Sequence, residues 1–403
     1  MTQGALDGLK VLDFSWVIAG PLTTRYLADY GATVIRLESS SRPDVERTSP
    51  PFKDNIPGIN RSAYFVIYNT NKLSMTLNLK HPEGKKIAID LIKWADVIVE
   101  NFTPGVMASF GFDYESLKKI KPDTIMVSLS SYGQDGPYAN LPGLGFHTSS
   151  LAGFPHFTGW PDRSSQRIGA YCDVLTPYYS VAAILAAIRR RRQTGQGCFI
   201  DLSLYETGIS FIETALMDFQ LNGNPGGRRG NRDADAVPHA AYRCQGDERW
   251  LAIAVFNETE WHAFCKASGH TAWAKDARFS SFAARKKNEE ALDKLITEWT
   301  LQRTAEELFT LLNKAGVKSG IVQNSRDVLL DPQMQHRNLF WLQDHPEVGK
   351  HHVQGECAIM SQTPAEQRMP SPCMGEHTEQ ICREILHLPE DKFIELLSDG
   401  VFE

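Results

Sequence analysis

The sequence lacks most of the features that assign a protein quickly. Its seven cysteines (172, 198, 244, 265, 357, 373 and 382) are odd in number and scattered, with no pair at zinc-ligand spacing. That pattern argues against a disulfide scaffold or a metal site and points to reduced thiols in a cytoplasmic protein. No GxGxxG follows the first strand-like run, where the loop reads SWVIAGPL, and no GxxxxGK[ST] occurs, so neither a nicotinamide site nor a P-loop is expected. A GxSxG elbow is also missing, which leaves a serine hydrolase without its usual support. With 42 Lys and Arg against 48 Asp and Glu, a net charge of -6, no broad basic face is expected for nucleic acid or anionic lipid. The start, MTQGALDGLKVLDFSW, has no basic segment leading into an apolar core, and no later apolar run approaches the roughly 20 residues that span a bilayer. Neither export nor a membrane partner is expected, and the ligand should be small.

What is present is a regular alternation. LKVLDFS reads as a buried strand, GPLTTRYLADYGA as a helix from Pro21 to Gly31, and TVIRLES as the next strand. SMTLNL, HPEGKKIAIDLIKWA and DVIVENF repeat the unit, and YESLKKIKPD with TIMVSLSSYG begins it again. Parallel strands need helical crossovers, so the fold class is α/β: a doubly wound, mostly parallel, Rossmann-like sheet with a second, smaller α+β domain. The expected boundaries are a large domain over 1–222, a linker or lid over 223–238, a small domain over 239–330, and a return segment over 331–403 that packs on the large domain. In such sheets ligands sit beyond the carboxyl ends of the strands. Those ends carry Ser15 and Trp16, Glu38 and Ser39, Asn101 and Phe102, and Ser131.

One acidic residue stands out. Asp173 lies in IGAYCDVLTPYYSVAAILAAIRRRR, a run otherwise apolar, small or aromatic until four arginines close it. Thr176 and Pro177 suit the N-cap and first position of a helix over 177–192, which puts Asp173 one turn ahead of that helix. A capping acid is the ordinary explanation. The apolar surroundings instead suit a carboxylate whose nucleophilicity is raised by exclusion of water. His147 and His156 are the histidines nearest in sequence and sit in glycine-rich loops, where a structural hydrogen bond is the commoner role. Phe146, Phe154, Phe157 and Trp160 form an aromatic cluster suited to core or pocket wall, and Arg42 and Arg47 follow the second strand on a loop where a phosphate could lie.

Taken together these blocks resemble the family III CoA-transferases, which include formyl-CoA:oxalate, carnitine and benzylsuccinate CoA-transferases, and the related methylacyl-CoA racemases. The likeness is carried by LDGLKVLDFSWVIAGPLTTRYLADYGATVIRLE, NTNKLSMTLNLKHPEGKKIAIDLIKWADVIVENFTPG, YCDVLTPYYSVAAILAAIRRRRQTGQG and the terminal MGEHTEQICREIL. It implies that Asp173 is a covalent nucleophile, attacking an acyl-CoA to give an anhydride and then an aspartyl-CoA thioester. It also implies that CoA or acyl-CoA is a substrate, with no permanently bound cofactor. The CoA contacts it implies are Ile18 and Ala19, the Leu77–Lys80 segment with Asn78, and Asn101 with Phe102. The chain departs from a well-known member, which has arginines at Ser39 and Ser109 and a lysine at Pro142; Arg42, Arg47 and Lys80 are the substitutes expected to meet the phosphates. Many relatives also have an acidic residue at Gly145 and a glutamine at Ser149, so acceptor recognition should differ there. Trp16, Gly145, His147 and Trp160 are the expected pocket residues, and Trp16 together with Phe154, Phe157 and Trp160 suggests a larger, aromatic or dicarboxylic acid such as an aryl-substituted succinate, with succinyl-CoA as donor.

Two other readings stay open. The racemase branch has its histidine base at Leu144, three residues from His147. A non-catalytic CoA-binding subunit of a hetero-oligomer is the other. Family members form interlocked homodimers, so a homodimer is the expected partner arrangement, and Arg228, Arg229 or Arg232 in NPGGRRGNR could meet a substrate carboxylate if that loop is a lid.

Overall fold

The computed structural model describes residues 4–403. Six parallel strands form the main sheet: β1 (Lys10–Asp13), β2 (Thr33–Glu38), β3 (Leu73–Thr76), β4 (Val97–Glu100), β5 (Ile125–Ser130) and β6 (Cys198–Ser203), in the order β3-β2-β1-β4-β5-β6. The interleaved helices are α1 (Ala19–Asp29), α2 (Ala63–Tyr68), α3 (Pro82–Trp94), α4 (Val106–Phe110), α5 (Tyr114–Ile120), α6 (Gly145–Leu151), α7 (Phe154–Phe157), α8 (Tyr171–Thr194), α9 (Leu204–Ile209) and α10 (Glu213–Asn222). Each begins or stops for local reasons where the sequence supplies them. Pro82 opens α3 behind His81, whose side chain accepts from Glu83 N–H, and Asp113 caps α5 through Ser116 N–H.

The strands are apolar on both faces because both faces are covered. Leu12, Ile35, Ile98 and Met126 point into one core with α3 and the C-terminal residues Ile381, Phe393, Leu396 and Val401. Their neighbours Val11, Val34, Val97, Val99, Ile125 and Val127 point into the other, with α1 and α8. The period of two along each strand thus sorts residues between two helical layers.

The chain divides into two units. One contains the chain through Phe154, Arg167–Pro225 and Gln333–Glu403; the other contains Pro155–Gln166 and Gly226–Pro332. The second is built on an antiparallel sheet β7-β8-β9 (His239–Arg243, Trp250–Ala254, Lys318–Ile321) over a core of Leu251, Ile253, Trp261, Phe264 and Leu308. The first also carries an antiparallel hairpin, β10 (Phe340–His345) with β11 (Gly349–Gln354), which sequence reading leaves unmarked.

Two expectations need correction. Pro155–Gln166 leaves the large unit because its aromatic residues pack on the following glycine loop: a Cβ at Gly226 would lie 2.6 Å from the Phe157 ring, and one at Gly230 2.3 Å from the Trp160 ring. The stretch expected as a linker or lid is correspondingly docked. Gly230 N–H bonds to Gly159 O at 2.9 Å, Arg228 donates to the carbonyls of Trp160 and Arg163, and Arg232 pairs with Glu289 and Asp293. The second correction concerns apolar runs. α8 is 24 residues long and, by length and composition, apolar enough to cross a membrane; half of its most apolar window is buried, with Ile184, Ala187 and Ile188 in the core beneath the sheet.

Candidate active site

The strand order reverses between β1 and β4, where β1 pairs with both β2 and β4. A crevice opens at such a point beyond the strands' carboxyl ends. The loops there are tied by Asn101, whose side chain accepts from Trp16 N–H at 2.7 Å and donates to Trp16 O at 2.6 Å. The Trp16 ring meets Phe102 edge-on at 5.6 Å, and the Arg42 guanidinium lies 5.4 Å from its centroid. Trp16, Asn101, Phe102 and Arg42 are therefore brought together at one edge of the sheet, with Ile18 and Ala19 opening α1 beside them. Leu77 and Asn78 follow β3: Leu77 N–H bonds to Glu38 O, Asn78 N–H to Val401 O, and the Asn78 side chain accepts from Lys80 N–H, leaving the Lys80 side chain exposed.

Behind this edge lies a buried charge network that sequence reading misses. Asp13, Arg36, Glu38, Asp44, Arg47 and Lys72 are all nearly or fully buried. Lys72 Nζ lies 3.1 Å from Asp13 Oδ2, and Arg36 forms ion pairs with both Glu38 and Asp44. Burial raises the Glu38 carboxyl, but Arg47 and Arg36 more than reverse it and hold the group at about 2. Arg47 is thus a structural cation: Nε and Nη2 meet the two Glu38 oxygens at 2.8 and 2.7 Å, and Nη1 donates to Asn60 Oδ1 at 2.9 Å. Its expected place among the phosphate-binding residues is corrected, because its donors are committed and the side chain is sealed from solvent. Asp44 serves the crevice directly, accepting from Arg36, from Glu46 N–H at 3.0 Å, and from Val17 N–H at 3.1 Å, where φ is +65°. A β-branched residue is strained there, and the Asp44 carboxylate is what holds it.

Asp173 lies inside a helix and not ahead of one. α8 starts at Tyr171, so Asp173 occupies the third position of its first turn, and Pro177 sits within the helix. The early start has a tertiary cause: Ser149 Oγ accepts from the N–H groups of Tyr171 at 3.1 Å and Cys172 at 3.3 Å and donates to Gly145 O at 2.8 Å. Proline has no N–H, so the Asp173 carbonyl receives no bond from residue 177. The carboxylate is 7% exposed, and Oδ2 has no hydrogen-bond partner. Burial pushes its pKa up to about 7, against a small opposing backbone hydrogen bond. Gly145 leaves it room: a Cβ there would fall 1.5 Å from Oδ2 and 2.6 Å from Ala170 Cβ. A desolvated carboxylate with an unpartnered oxygen has the character that nucleophilic attack calls for.

Two further expected pocket residues, His147 and Trp160, have local contacts of their own. His147 is exposed, its Nδ1 accepts from Leu144 N–H at 3.1 Å, and its ring lies on Phe146 at 3.9 Å, so it closes the start of α6. Trp160 belongs to the second unit, against Gly230. Sequence reading overlooks Glu46 and Tyr68, both raised chiefly by burial, with the Asp173 charge a smaller contribution. Glu46 is 7% exposed with Oε2 unpartnered. Among the described residues no cluster of His, Cys, Asp and Glu is arranged to hold a metal.

Comparison with known proteins agrees with the geometry. Residues 6–378 match the model of CoA-transferase family III. The chain is 31% identical over 387 residues to the succinyl-CoA--D-citramalate CoA-transferase of Chloroflexus aurantiacus, covering 96% of this chain and 95% of the relative. It is 33% identical over 390 residues to the succinate--glutarate CoA-transferase of Agrobacterium fabrum, covering 94% and 95%. A crystal structure of a CAIB/BAIF family protein from Brucella suis superposes with a TM-score of 0.88 at 34% identity, covering 95% of this chain and 100% of that one. A sheet reversed between β1 and β4, a buried carboxylate at the head of α8 and a match over nearly the whole length converge on one assignment: the chain belongs to CoA-transferase family III and is an enzyme whose substrates are CoA thioesters.

Proposed function

We propose that the protein moves CoA from an acyl-CoA donor to a free carboxylic acid with Asp173 as covalent nucleophile. The observation that carries this is the Asp173 carboxyl group itself, buried, unpartnered at Oδ2 and raised to about 7 by burial. The Asp173 carboxylate attacks the thioester carbonyl carbon; the tetrahedral oxyanion collapses, the C–S bond breaks, and CoA thiolate leaves behind an aspartyl anhydride. The thiolate then attacks the aspartyl carbonyl carbon, expelling the donor acid as carboxylate and leaving an aspartyl-CoA thioester. The acceptor carboxylate repeats both steps in reverse and restores Asp173. No net proton is consumed, so the site needs water excluded and oxyanions stabilised more than it needs a general base.

Arg42 and Lys80, both exposed at the crevice edge, are our proposed contacts for the CoA phosphates, with Ile18, Ala19, Leu77, Asn78, Asn101 and Phe102 lining its path. For the substrates, the names of the relatives support succinyl-CoA as donor and a dicarboxylic acid as acceptor. A bulky aryl acceptor has less support, since the Trp16 ring is already occupied by Phe102 and Arg42. The racemase reading lacks its base, because His147 Nδ1 is committed to Leu144 N–H.

A homodimer is our proposed assembly. α10 buries none of its residues, and Phe211, Leu216, Met217, Phe219 and Leu221 are exposed along it and just before it. Tyr178, Tyr179 and Leu185 are exposed on α8. That much apolar surface calls for a cover. The seven cysteines are all free, in keeping with a reducing cytoplasmic setting.

The test is to incubate the protein with succinyl-CoA and a panel of dicarboxylic acids and to follow new acyl-CoA by mass spectrometry. Transfer that Asp173→Asn abolishes supports the reading. No transfer to any acid, with intact CoA binding, would favour the non-catalytic subunit instead.

A further inference from the structure

Past the last ladder pair between β1 and β4, Asp13 with Val99, one more backbone bond joins the two strands, from Phe14 N–H to Val99 O at 2.9 Å. Beyond it the two loops are joined by side chains: Asn101 clamps the Trp16 backbone, and the Phe102 ring meets the Trp16 ring. The Phe102 N–H, which lies past the end of β4, donates to Glu100 Oε2 at 2.8 Å. Glu100 is the last residue of β4 and is 2% exposed. It lies opposite Ser128 on β5, whose side chain hydrogen-bonds to the same carboxyl group. Ser128 in turn lies opposite Asp201 on β6, whose carboxylate accepts from Gln134 N–H at 3.0 Å. A cavity of about 90 Å³, lined by Glu100, Thr103, Met107, Tyr114, Ser128 and Gln134 among others, borders the carboxyl group, so packing does not hold the turn on that side.

We propose that Glu100 is a positioning residue for CoA binding: its carboxylate fixes the Asn101–Phe102 turn, and through that turn the Trp16 loop, in the shape that receives the CoA part of the thioester. The inference rests on the CoA path proposed above. The bond runs from the last side chain of the strand to the N–H two residues on, and so sets the direction in which the chain leaves the sheet. That direction governs two contacts at once. From it Asn101 reaches both Trp16 O, at 2.6 Å, and Trp16 N–H, at 2.7 Å, and the Phe102 ring comes edge-on to Trp16 at 5.6 Å. Burial pushes the Glu100 carboxyl up to about 7 against the Ser128 and Phe102 bonds, with the Asp201 charge adding to the rise. Desolvation thus works against the charge, and the hydrogen bonds are what favour it. Without the carboxylate the Phe102 N–H is orphaned, and the peptide is free to turn toward the cavity in search of another acceptor.

The test measures binding of free CoA by titration calorimetry at pH 8, with the KM for succinyl-CoA and kcat toward a dicarboxylic acid alongside. Glu100→Gln keeps an oxygen that can accept from Phe102 N–H and should bind CoA within about threefold of wild type. Glu100→Ala and the space-filling Glu100→Leu lack an acceptor. Each should bind CoA about tenfold or more weakly, the scale of a hydrogen bond to a charged group, and raise the KM to match, while kcat stays within about threefold. Normal CoA affinity in both, a loss in Glu100→Gln as large as in Glu100→Ala, or a fall in kcat at unchanged affinity would overturn the inference. Thermal melts identify any variant that does not fold. If neither acceptor-free variant folds, hydrogen exchange of wild type without CoA decides: the Phe102 amide, isolated by overlapping peptides, should be protected, and exchange at the rate of a free amide would overturn the role of Glu100. Phe102→Ala separates this inference from the reading beneath it. Weak CoA binding by that variant, with normal binding by the acceptor-free Glu100 variants, would leave the path standing and remove Glu100 from it; wild-type affinity in Phe102→Ala would overturn the path itself.

Discussion

Replacing Gly145 by alanine tests how tightly the reacting carboxylate is placed. The new Cβ would fall 1.5 Å from Asp173 Oδ2, so the oxygen must retreat by about 1.9 Å to reach the 3.4 Å of ordinary contact. The same Cβ meets Ala170 Cβ at 2.6 Å, which closes the easy escape through the helix start. The carboxylate, at the end of a short side chain, yields before the backbone does. A displacement of about 1 Å at a reacting group can cost about 100-fold in rate, so Gly145→Ala should slow adduct formation by at least about 100-fold, or about 2.7 kcal/mol of barrier. Stability should fall by only about 1–3 kcal/mol, the usual cost of overpacking. The assay is rapid-quench acylation followed by intact mass, with calorimetry alongside. A variant that acylates at the wild-type rate would refute the placement of Asp173 against α6.

Three further outcomes follow from the same structure. Burial lifts Asp173 from 3.8 to about 7, so its ionised form opposes folding: the cost is nil below about pH 4, grows through the interval and is complete above about pH 7, reaching about 4 kcal/mol. Asp173→Asn should accordingly melt higher than wild type at pH 8 and equal it at pH 4, and equal melting temperatures at both would contradict the shift. Arg47→Met should destabilise by about 3 kcal/mol, the low end for breaking a buried pair because Arg36 still faces Glu38, while the KM for CoA in the surviving enzyme stays within about twofold. A stable variant with a raised KM would return Arg47 to the phosphate site. Ser149→Ala should cost about 1 kcal/mol in chemical denaturation, since its hydroxyl caps Tyr171 and Cys172, and it should slow acylation as well; an unchanged midpoint would count against that cap.

The parallel sheet was legible because strand and helix periods alternate locally, and the crevice residues Trp16, Asn101 and Phe102 were legible because they end strands. Strand order is not local, so their pairing across the β1/β4 reversal had to be seen. Asp173 could be singled out by its apolar surroundings, yet its place in the helix could not, because the cap that starts α8 comes from Ser149, 22 residues earlier. Arg47 looked like a surface cation on a polar loop; its partner Glu38 ends the preceding strand, and the closure over both involves Pro372, 325 residues away. Glu46 carried no signal at all, being one acid in a polar stretch that a buried Asp44 turns inward. A charged residue inside the strand TVIRLE, Arg36, was the available hint that ions were buried there.

The central claim is tested most directly by intact-protein mass after incubation with succinyl-CoA, followed by hydroxylamine and peptide mapping, with Asp173→Ala in parallel. The account predicts a covalent adduct that maps to Asp173, converts to the hydroxamate and is missing from the variant. An adduct at another residue, or transfer that proceeds in Asp173→Ala at the wild-type rate, would contradict it.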